Sequence, residues 1–306
     1  MRLRESYRKW EMDRISDSEM EKVYRDYTQK IIEEQEKAGL DVVTDGQLRW
    51  YDPISHFARK MEGCKIDGLL RYYDTNFYFR QPVVIGELSK VEPILKNEFL
   101  SAKDFATVTL KPVITGPYTL AKHSINEFYE DFSELIFNFA HIIGQEIEDL
   151  VKLGAKEIQI NEPAILQKKS DFDIFSKAFN RLAGFRGDSQ IDLALFFGDS
   201  TTIYEGLQEL SADLLAFDFT YSDELTSLIE ELGTEKKLGL GLINARNTRL
   251  EKVEEVAGMV RKIVPYINSD EIYLQPSCGV EFLPREIAFE KLKLLVKVKE
   301  RVREVL

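Results

Sequence analysis

Residues 153–164 read Leu-Gly-Ala-Lys-Glu-Ile-Gln-Ile-Asn-Glu-Pro-Ala, and the fold follows from how this stretch changes character. Before it, across 126–153, apolar residues return every three or four positions, the signature of an amphipathic helix. Gly154 ends that helix, because glycine takes the left-handed conformation that closes a last turn at little steric cost. Residues 157–160 then enter a short buried strand that empties into Asn161, Glu162 and Pro163. Helix, glycine, strand and polar exit make one unit of an α/β fold.

The unit repeats along the chain. Apolar runs at 41–45 (DVVTD), 111–115 (KPVIT), 191–197 (IDLALFF), 213–219 (DLLAFDF), 238–243 (LGLGLI) and 271–274 (EIYL) join 157–160 as strands, seven in all. Helical patterns are clearest at 16–38, 126–153, 248–264 and 284–302. Ser16 with Glu19 three residues on predicts a capping box, and Gly39 closes the helix it starts. No Pro/Ser-rich linker divides the chain, so residues 1–306 read as one domain, a TIM-type (β/α)8 barrel. Such a barrel needs eight strands, and the first is expected to be missing. The aromatic segment 69–88 (LLRYYDTNFYFRQPVVIGEL) predicts an inserted β-hairpin whose rings serve packing.

Composition narrows the function. The 306 residues carry 41 Lys+Arg against 53 Asp+Glu, a formal net charge of −12, which argues against nucleic acid as a partner. No apolar run approaches the roughly 20 residues that span a bilayer, and the charged start Met1-Arg2-Leu3-Arg4-Glu5 lacks a secretory core. A cytoplasmic protein is expected. Cys64 and Cys278 lie far apart and predict neither a disulfide framework nor a zinc knuckle.

In a βα barrel the chemistry sits at the C-terminal ends of the strands. Those ends carry Asp45, Gly46 and Gln47; Thr115, Gly116 and Pro117; Asn161 and Glu162; Gly198 and Asp199; Asp218 and Thr220; Asn244, Arg246 and Asn247; and Ser277, Cys278 and Gly279. Asp and Asn at such places also fold back on their own backbone in turns, the structural alternative for Asp45 and Asp199. Glu162, leaving a buried strand, needs a partner, and Arg246 is one. Arg246 alternatively holds a substrate carboxylate or phosphate. Cys278 reads as a small core residue rather than a nucleophile, with no histidine nearby. Of the histidines, His56, His123 and His141, none stands at a strand end. Only Cys278, Asp218 and a displaced His123 could be assembled toward zinc, so no metal site is expected.

Taken in order, Val43-Thr44-Asp45-Gly46, Lys111-Pro112-Val113 through Gly116-Pro117, the run from Ile158 to Ala164, Gly239-Leu240-Gly241 and Pro276-Ser277-Cys278-Gly279 resemble the cobalamin-independent methionine synthase family. That family is built from two βα barrels in one long chain, and the matches account for one. Its C-terminal barrel is catalytic: a zinc held by a His-x-Cys pair, a Glu and a Cys binds the homocysteine thiolate. By the resemblance the pair falls here on Ala194 and Phe196, the Glu on Asp218, and only Cys278 is kept. A histidine after the seventh strand falls on Arg246, and acidic residues used for the amino acid fall on Gln47 and Asn161. Phe196-Phe197-Gly198, the stretch from Asn244 to Asn247 and Tyr73-Asp74-Thr75-Asn76 instead look like the family's N-terminal, non-zinc barrel. In that barrel a basic segment, matched by Arg2, Arg4 and Arg8, contributes to the tail of the folate methyl donor.

The resemblance implies an N-terminal-type barrel in methionine biosynthesis, part of a methyl-transfer system from a folate-type donor to homocysteine. It implies no cofactor in this chain, with zinc on a separate catalytic barrel as partner, and a substrate-binding set of Asp45, Asn161, Glu162, Asp218, Arg246, Asn247 and Cys278. Two alternatives differ in class. One is a self-sufficient enzyme of the uroporphyrinogen decarboxylase and methyltransferase superfamily using Arg246 and the strand-end carboxylates; the other is a binding-only barrel.

Overall fold

Helices α1 (Leu3–Glu11) and α2 (Asp17–Ala38) open the computed structural model, which describes residues 3–304. The capping box forms as expected: the Ser16 hydroxyl accepts from the Glu19 N–H at 3.3 Å, and the Glu19 carboxylate accepts from the Ser16 N–H at 2.8 Å. Gly39 closes α2 at φ 91°. Next come β1 (Val42–Val43), α3 (Ser55–Ala58), β2 (Met61–Arg71), β3 (Tyr78–Lys90), α4 (Lys96–Lys103), β4 (Thr109–Leu110) and β5 (Val113–Thr115). Helix α5 (Pro117–Lys122), β6 (Ile125–Asn126), α6 (Phe132–Lys152) and β7 (Glu157–Asn161) follow. From there the alternation is regular: α7 (Phe172–Ala183), β8 (Gln190–Leu195), α8 (Tyr204–Gln208), β9 (Leu214–Asp218), α9 (Glu224–Leu232) and β10 (Lys237–Ile243). Helix α10 (Val253–Ile263), β11 (Ile272–Pro276) and α11 (Arg285–Arg303) complete it.

Strands β5, β7, β8, β9, β10 and β11 pair in that order, all parallel, and β1 pairs with β4 in parallel. The expected strand 111–115 is thus shortened to β5, and β4, just before it, pairs separately with β1. Pro112 lies at the break and has no N–H to give a ladder; around it the Lys111 N–H donates to Val43 O at 2.8 Å and Pro112 O accepts from the Gln159 N–H at 3.0 Å. The seven expected strand regions therefore form one arc with β1 and β11 at its edges. Among the described residues no backbone pairing joins those edges. Outside the arc α11 meets α2 directly: Val296 packs at Gly39, and Arg285 pairs with Glu34 and Lys299 with Asp41.

Alternation along the strands sorts the side chains. Ile158 and Ile160 are buried against the helices, while Glu157, Gln159 and Asn161 lie on the opposite, half-buried face. A buried ion pair, Lys111 with Asp192 at 2.8 Å, spans β7, and Tyr273 donates to Glu157 at 3.1 Å. Strand β11 is half-exposed throughout, unlike its neighbour β10.

Two expected boundaries moved for local reasons. The long helix starts at Phe132 rather than near 126, because Asn126 holds a turn instead: its Oδ1 accepts from the Tyr129 N–H at 3.0 Å, and its Nδ2 donates to Tyr129 O at 2.9 Å. Asp131 then caps the helix through the Glu134 N–H at 2.9 Å. The expected hairpin is present but longer, spanning β2 and β3, and β6 adds a third strand in parallel to β3. No described helix is long and apolar enough to cross a membrane.

Candidate functional site

The strand ends share one local device. Asp45 Oδ1 accepts from the Gln47 N–H at 3.3 Å, Asp199 Oδ1 from the Thr201 N–H at 3.0 Å, and Asp218 Oδ1 from the Thr220 N–H at 2.9 Å. Asn244 and Asn247 do the same toward the Arg246 and Arg249 N–H groups at 2.9 and 3.1 Å. In each case an Asp or Asn side chain reaches two residues on and turns the chain sharply after its strand or within the loop that follows. The turn reading of Asp45 and Asp199 therefore holds as geometry; Asp199 is further paired with Lys169 at 3.2 Å.

Glu162 is not paired with Arg246. It is fully buried, and its oxygens accept from the Tyr118 N–H at 2.9 Å, the Thr119 N–H at 2.8 Å and the Thr119 hydroxyl at 2.6 Å, all at the start of α5. Helix starts carry unpaired N–H groups that welcome a carboxylate. Gly116 is required beside it, since a Cβ there would overlap the Glu162 carboxyl. Burial pushes Glu162 up to about 7, against the pull of Thr119 and Tyr118. Asn161, half-buried at the same strand end, accepts from Gln159 Nε2 at 2.8 Å.

Arg246 stands in the mouth. One guanidinium nitrogen donates to the Tyr221 hydroxyl at 2.7 Å, the other to Thr220 Oγ1 at 2.8 Å and lies 3.9 Å from Asp218 Oδ2. The guanidinium sits 4.3 Å from the Tyr221 ring centroid and 5.9 Å from that of Phe197. Arg246 Nε and Asp218 Oδ2 are both buried without a hydrogen-bond partner. Burial raises the Asp218 carboxyl, partly offset by Thr220 and Arg246. The loop carrying Arg246 is pinned from outside: fully buried Lys291 donates to Asn244 O at 2.7 Å and to Glu251 at 3.0 Å, and Glu251 accepts from the Asn244 N–H at 3.0 Å. Asn247 itself points outward and is exposed.

An aromatic wall faces the arginine. Phe197 lies 5.3 Å from Tyr73 and 5.7 Å from Phe282, ring centre to ring centre. Tyr73 and Phe197 both hold left-handed backbone, φ 49° and 66°, a strained state for non-glycine residues that concentrates at functional sites. The Tyr73 hydroxyl meets His123 Nε2 at 3.1 Å, and burial drops His123 to about 4, so the imidazole is neutral. The hairpin aromatics thus pack, with Tyr72 and Phe79 buried, and also furnish one side of the mouth. Tyr221 and Phe282 went unnoticed in the sequence; the one available signal was an aromatic residue three or four positions beyond a strand-end polar group.

The resemblance makes zinc the group to test here. Ala194 and Phe196 offer no donor, Asp218 is engaged by Thr220 and faces Arg246, and a guanidinium repels a dication. Cys278 is buried, with its thiol at 3.5 Å from Gly279 O and its pKa raised by burial, Glu281 and Asp218. Glu281, though exposed as a residue, folds its carboxyl back over Gly279. A protonated thiol is a poor zinc ligand. Among the described residues no three His, Cys, Asp or Glu are grouped to hold a metal, and the donor set does not fit zinc.

Over residues 1–301 the chain matches the family described as Cobalamin-independent synthase, Catalytic domain. It is 35% identical to methionine synthase of Saccharolobus solfataricus over 307 residues, covering 99% of this chain and 92% of the relative. Methionine synthase of Sulfurisphaera tokodaii is 34% identical, with 99% and 89% covered. Among solved structures, a B12-independent methionine synthase from Shewanella sp. W3-18-1 in complex with selenomethionine superposes at TM-score 0.82, with 22% identity over 95% of this chain and 91% of that one. The putative enzyme of the same kind from Listeria monocytogenes gives 0.80 with 18% identity, covering 98% and 93%. These two likenesses speak for the α/β fold with its parallel sheet, and the sequence matches run nearly end to end; the chain belongs to the cobalamin-independent methionine synthase family, methyltransferases of methionine biosynthesis.

Proposed function

We propose that this chain is the non-zinc, N-terminal-type member of a methyl-transfer system, working in the cytoplasm beside a separate catalytic barrel that holds zinc and homocysteine. The observation that carries the reading is the set of side chains at the strand ends: Phe196 stands at a position the resemblance assigns to a zinc ligand, with Phe197 beside it, and Arg246 at that of the histidine after the seventh strand. Zinc activates a thiol by stabilising its thiolate, and this mouth instead offers a cation, Arg246, between aromatic faces. Such a site suits an anionic group on a small molecule, a carboxylate of the methyl donor or of the amino acid. On this reading Asp45, Asp218, Cys278 and Asn161 serve the ligand, Asn247 shapes the loop that carries Arg246, and Glu162 acts from behind by fixing the Gly116-Pro117 turn. Arg4 and Arg8 on α1 are exposed and available to a polyanionic tail; Arg2 lies outside the described residues.

The test is reconstitution. Purified chain is added to a zinc-bearing single-barrel methionine synthase, and complex formation and methyl transfer to homocysteine are measured. A complex with a rate above that of the catalytic barrel alone is expected; no complex and no rate change would defeat the proposal. A second reading is favoured by one observation: the relatives named methionine synthase are matched over 92% and 89% of their length by this one chain. On that reading the chain transfers methyl groups unaided, and turnover by the isolated protein, lost in Arg246→Ala, is its mark.

A further inference from the structure

Between α4, the loop after β1 and the β4–β5 segment lies a cavity of about 10 Å³ lined by Asp45, Trp50, Glu98 and the apolar Leu95, Phe99 and Pro112. Two polar atoms of its lining residues have no partner. Trp50 Nε1 and Glu98 Oε2 are both buried without a hydrogen-bond partner, and Glu98 is only 5% exposed. Behind them His56, 7% exposed, stacks on the Trp50 indole with ring centres 5.4 Å apart, and its Nε2 lies 3.4 Å from Glu98 Oε1. A buried polar atom without a partner costs about 1–3 kcal/mol, and two such atoms on residues lining one small cavity call for a ligand. Indole N–H only donates and the carboxylate oxygen only accepts. A bare cation is repelled by the indole hydrogen and an anion by Glu98. What remains is a neutral molecule that both accepts and donates, and a cavity of this size holds about one water.

We propose that this cavity is an internal water site, held by Trp50 and Glu98, that links Asp45 just after β1 to the Glu98–His56 pair and makes Trp50 and Glu98 positioning groups for the Asp45 carboxyl. The inference concerns Asp45 alone and does not depend on the accessory role. Asp45 is pushed up to about 6 by burial first and by the Glu98 charge among lesser causes, so its proton occupancy changes near neutrality. Around Glu98 stand His56 and Lys60 from the α3 segment, Asp45, Arg49 and Asp52 from the loop after β1, and Glu21 and Tyr24 from α2. His56 first and then Lys60 hold the Glu98 carboxyl below its ordinary value despite its burial, so the negative charge seen by Asp45 persists through that range.

Two measurements on the whole chain decide it. A crystal structure refined to show ordered water should place one peak within hydrogen-bond reach of both Trp50 Nε1 and Glu98 Oε2; a dry cavity or a metal-like peak overturns the site. Carboxyl 13C NMR then follows Asp45 in wild type, Glu98→Gln and Trp50→Phe. The Asp45 midpoint should fall by half a unit or more in Glu98→Gln, and should also move in Trp50→Phe, which leaves every charge in place and removes only the donor to the water. A Trp50→Phe midpoint equal to wild type overturns the water link, and an unmoved midpoint in both variants overturns the coupling altogether. Thermal melting of each variant confirms that it is folded.

Discussion

Two carboxylates leave neighbouring parts of the same sheet and end in opposite states. Glu162, after β7, is sealed from solvent and accepts three hydrogen bonds from the start of α5. Asp218, at the end of β9, spends one oxygen on Thr220 and keeps the other unpaired, 3.9 Å from Arg246. A carboxylate whose two oxygens both accept hydrogen bonds inside the protein holds the scaffold. One left half-used beside a cation belongs to a site, because the fold bears the cost of the open atom until a ligand relieves it.

The contrast can be broken most directly by removing each side chain. Glu162→Ala strands two backbone N–H groups and a hydroxyl in the interior, with an expected loss of about 4 kcal/mol in urea unfolding. Asp218→Ala should cost only about 1–2 kcal/mol, since Thr220 and Arg246 can reach water. Equal losses would erase the distinction between them. Gly116→Ala, which leaves both carboxylates in place but drives a methyl group into Glu162, should cost about 3 kcal/mol by overpacking.

A titration sharpens the comparison. The folded pKa of Glu162, about 7, lies above its ordinary 4.5, so its contribution to stability is full at low pH and is lost as pH rises from about 4.5 through about 7. The stability difference between wild type and Glu162→Ala should therefore shrink across that window by at most a few kcal/mol. A difference that grows with pH would mean the helix-start donors outweigh burial. The smallest effect on stability is expected from Arg246→Ala, about 1 kcal/mol, because its hydrogen-bond partners Tyr221 and Thr220 reach solvent and buried Asp218 lies 3.9 Å away. Its binding effect is larger: affinity for a carboxylate-bearing ligand such as homocysteine or a folate, read by calorimetry, should drop about 10- to 100-fold. Unchanged affinity would move the anion site away from Arg246.

Much of this was legible in residues close along the chain. The capping box at Ser16, the closing glycine at Gly39 and the turns made by Asp45 and Asp199 are all contacts spanning a few residues, so local pattern suffices for them. The long helix was misplaced at its start because a helical spacing of apolar residues runs on through 126–131, while Asn126 and Asp131 bond the backbone there in a turn and a cap. The break at Pro112 could be read as a lost donor, but not the way Lys111 and Gln159 repair the arc around it.

The sequence by itself determined the alternation of helix and strand, the identity of the polar residues at the strand ends and the family they resemble. Those properties live in periodicity and in motifs a few residues long. The tertiary structure decided which of those polar groups meet. Glu162 went to the start of α5, 43 and 44 positions away, and Arg246 to Tyr221 and Thr220, 25 and 26 positions away. Lys291, which reads as one more surface lysine on an amphipathic helix, turned inward to pin the arginine loop. Partner choice over such separations depends on how the strands stack side by side and how the loops converge at one end of the arc, and no local spacing records that.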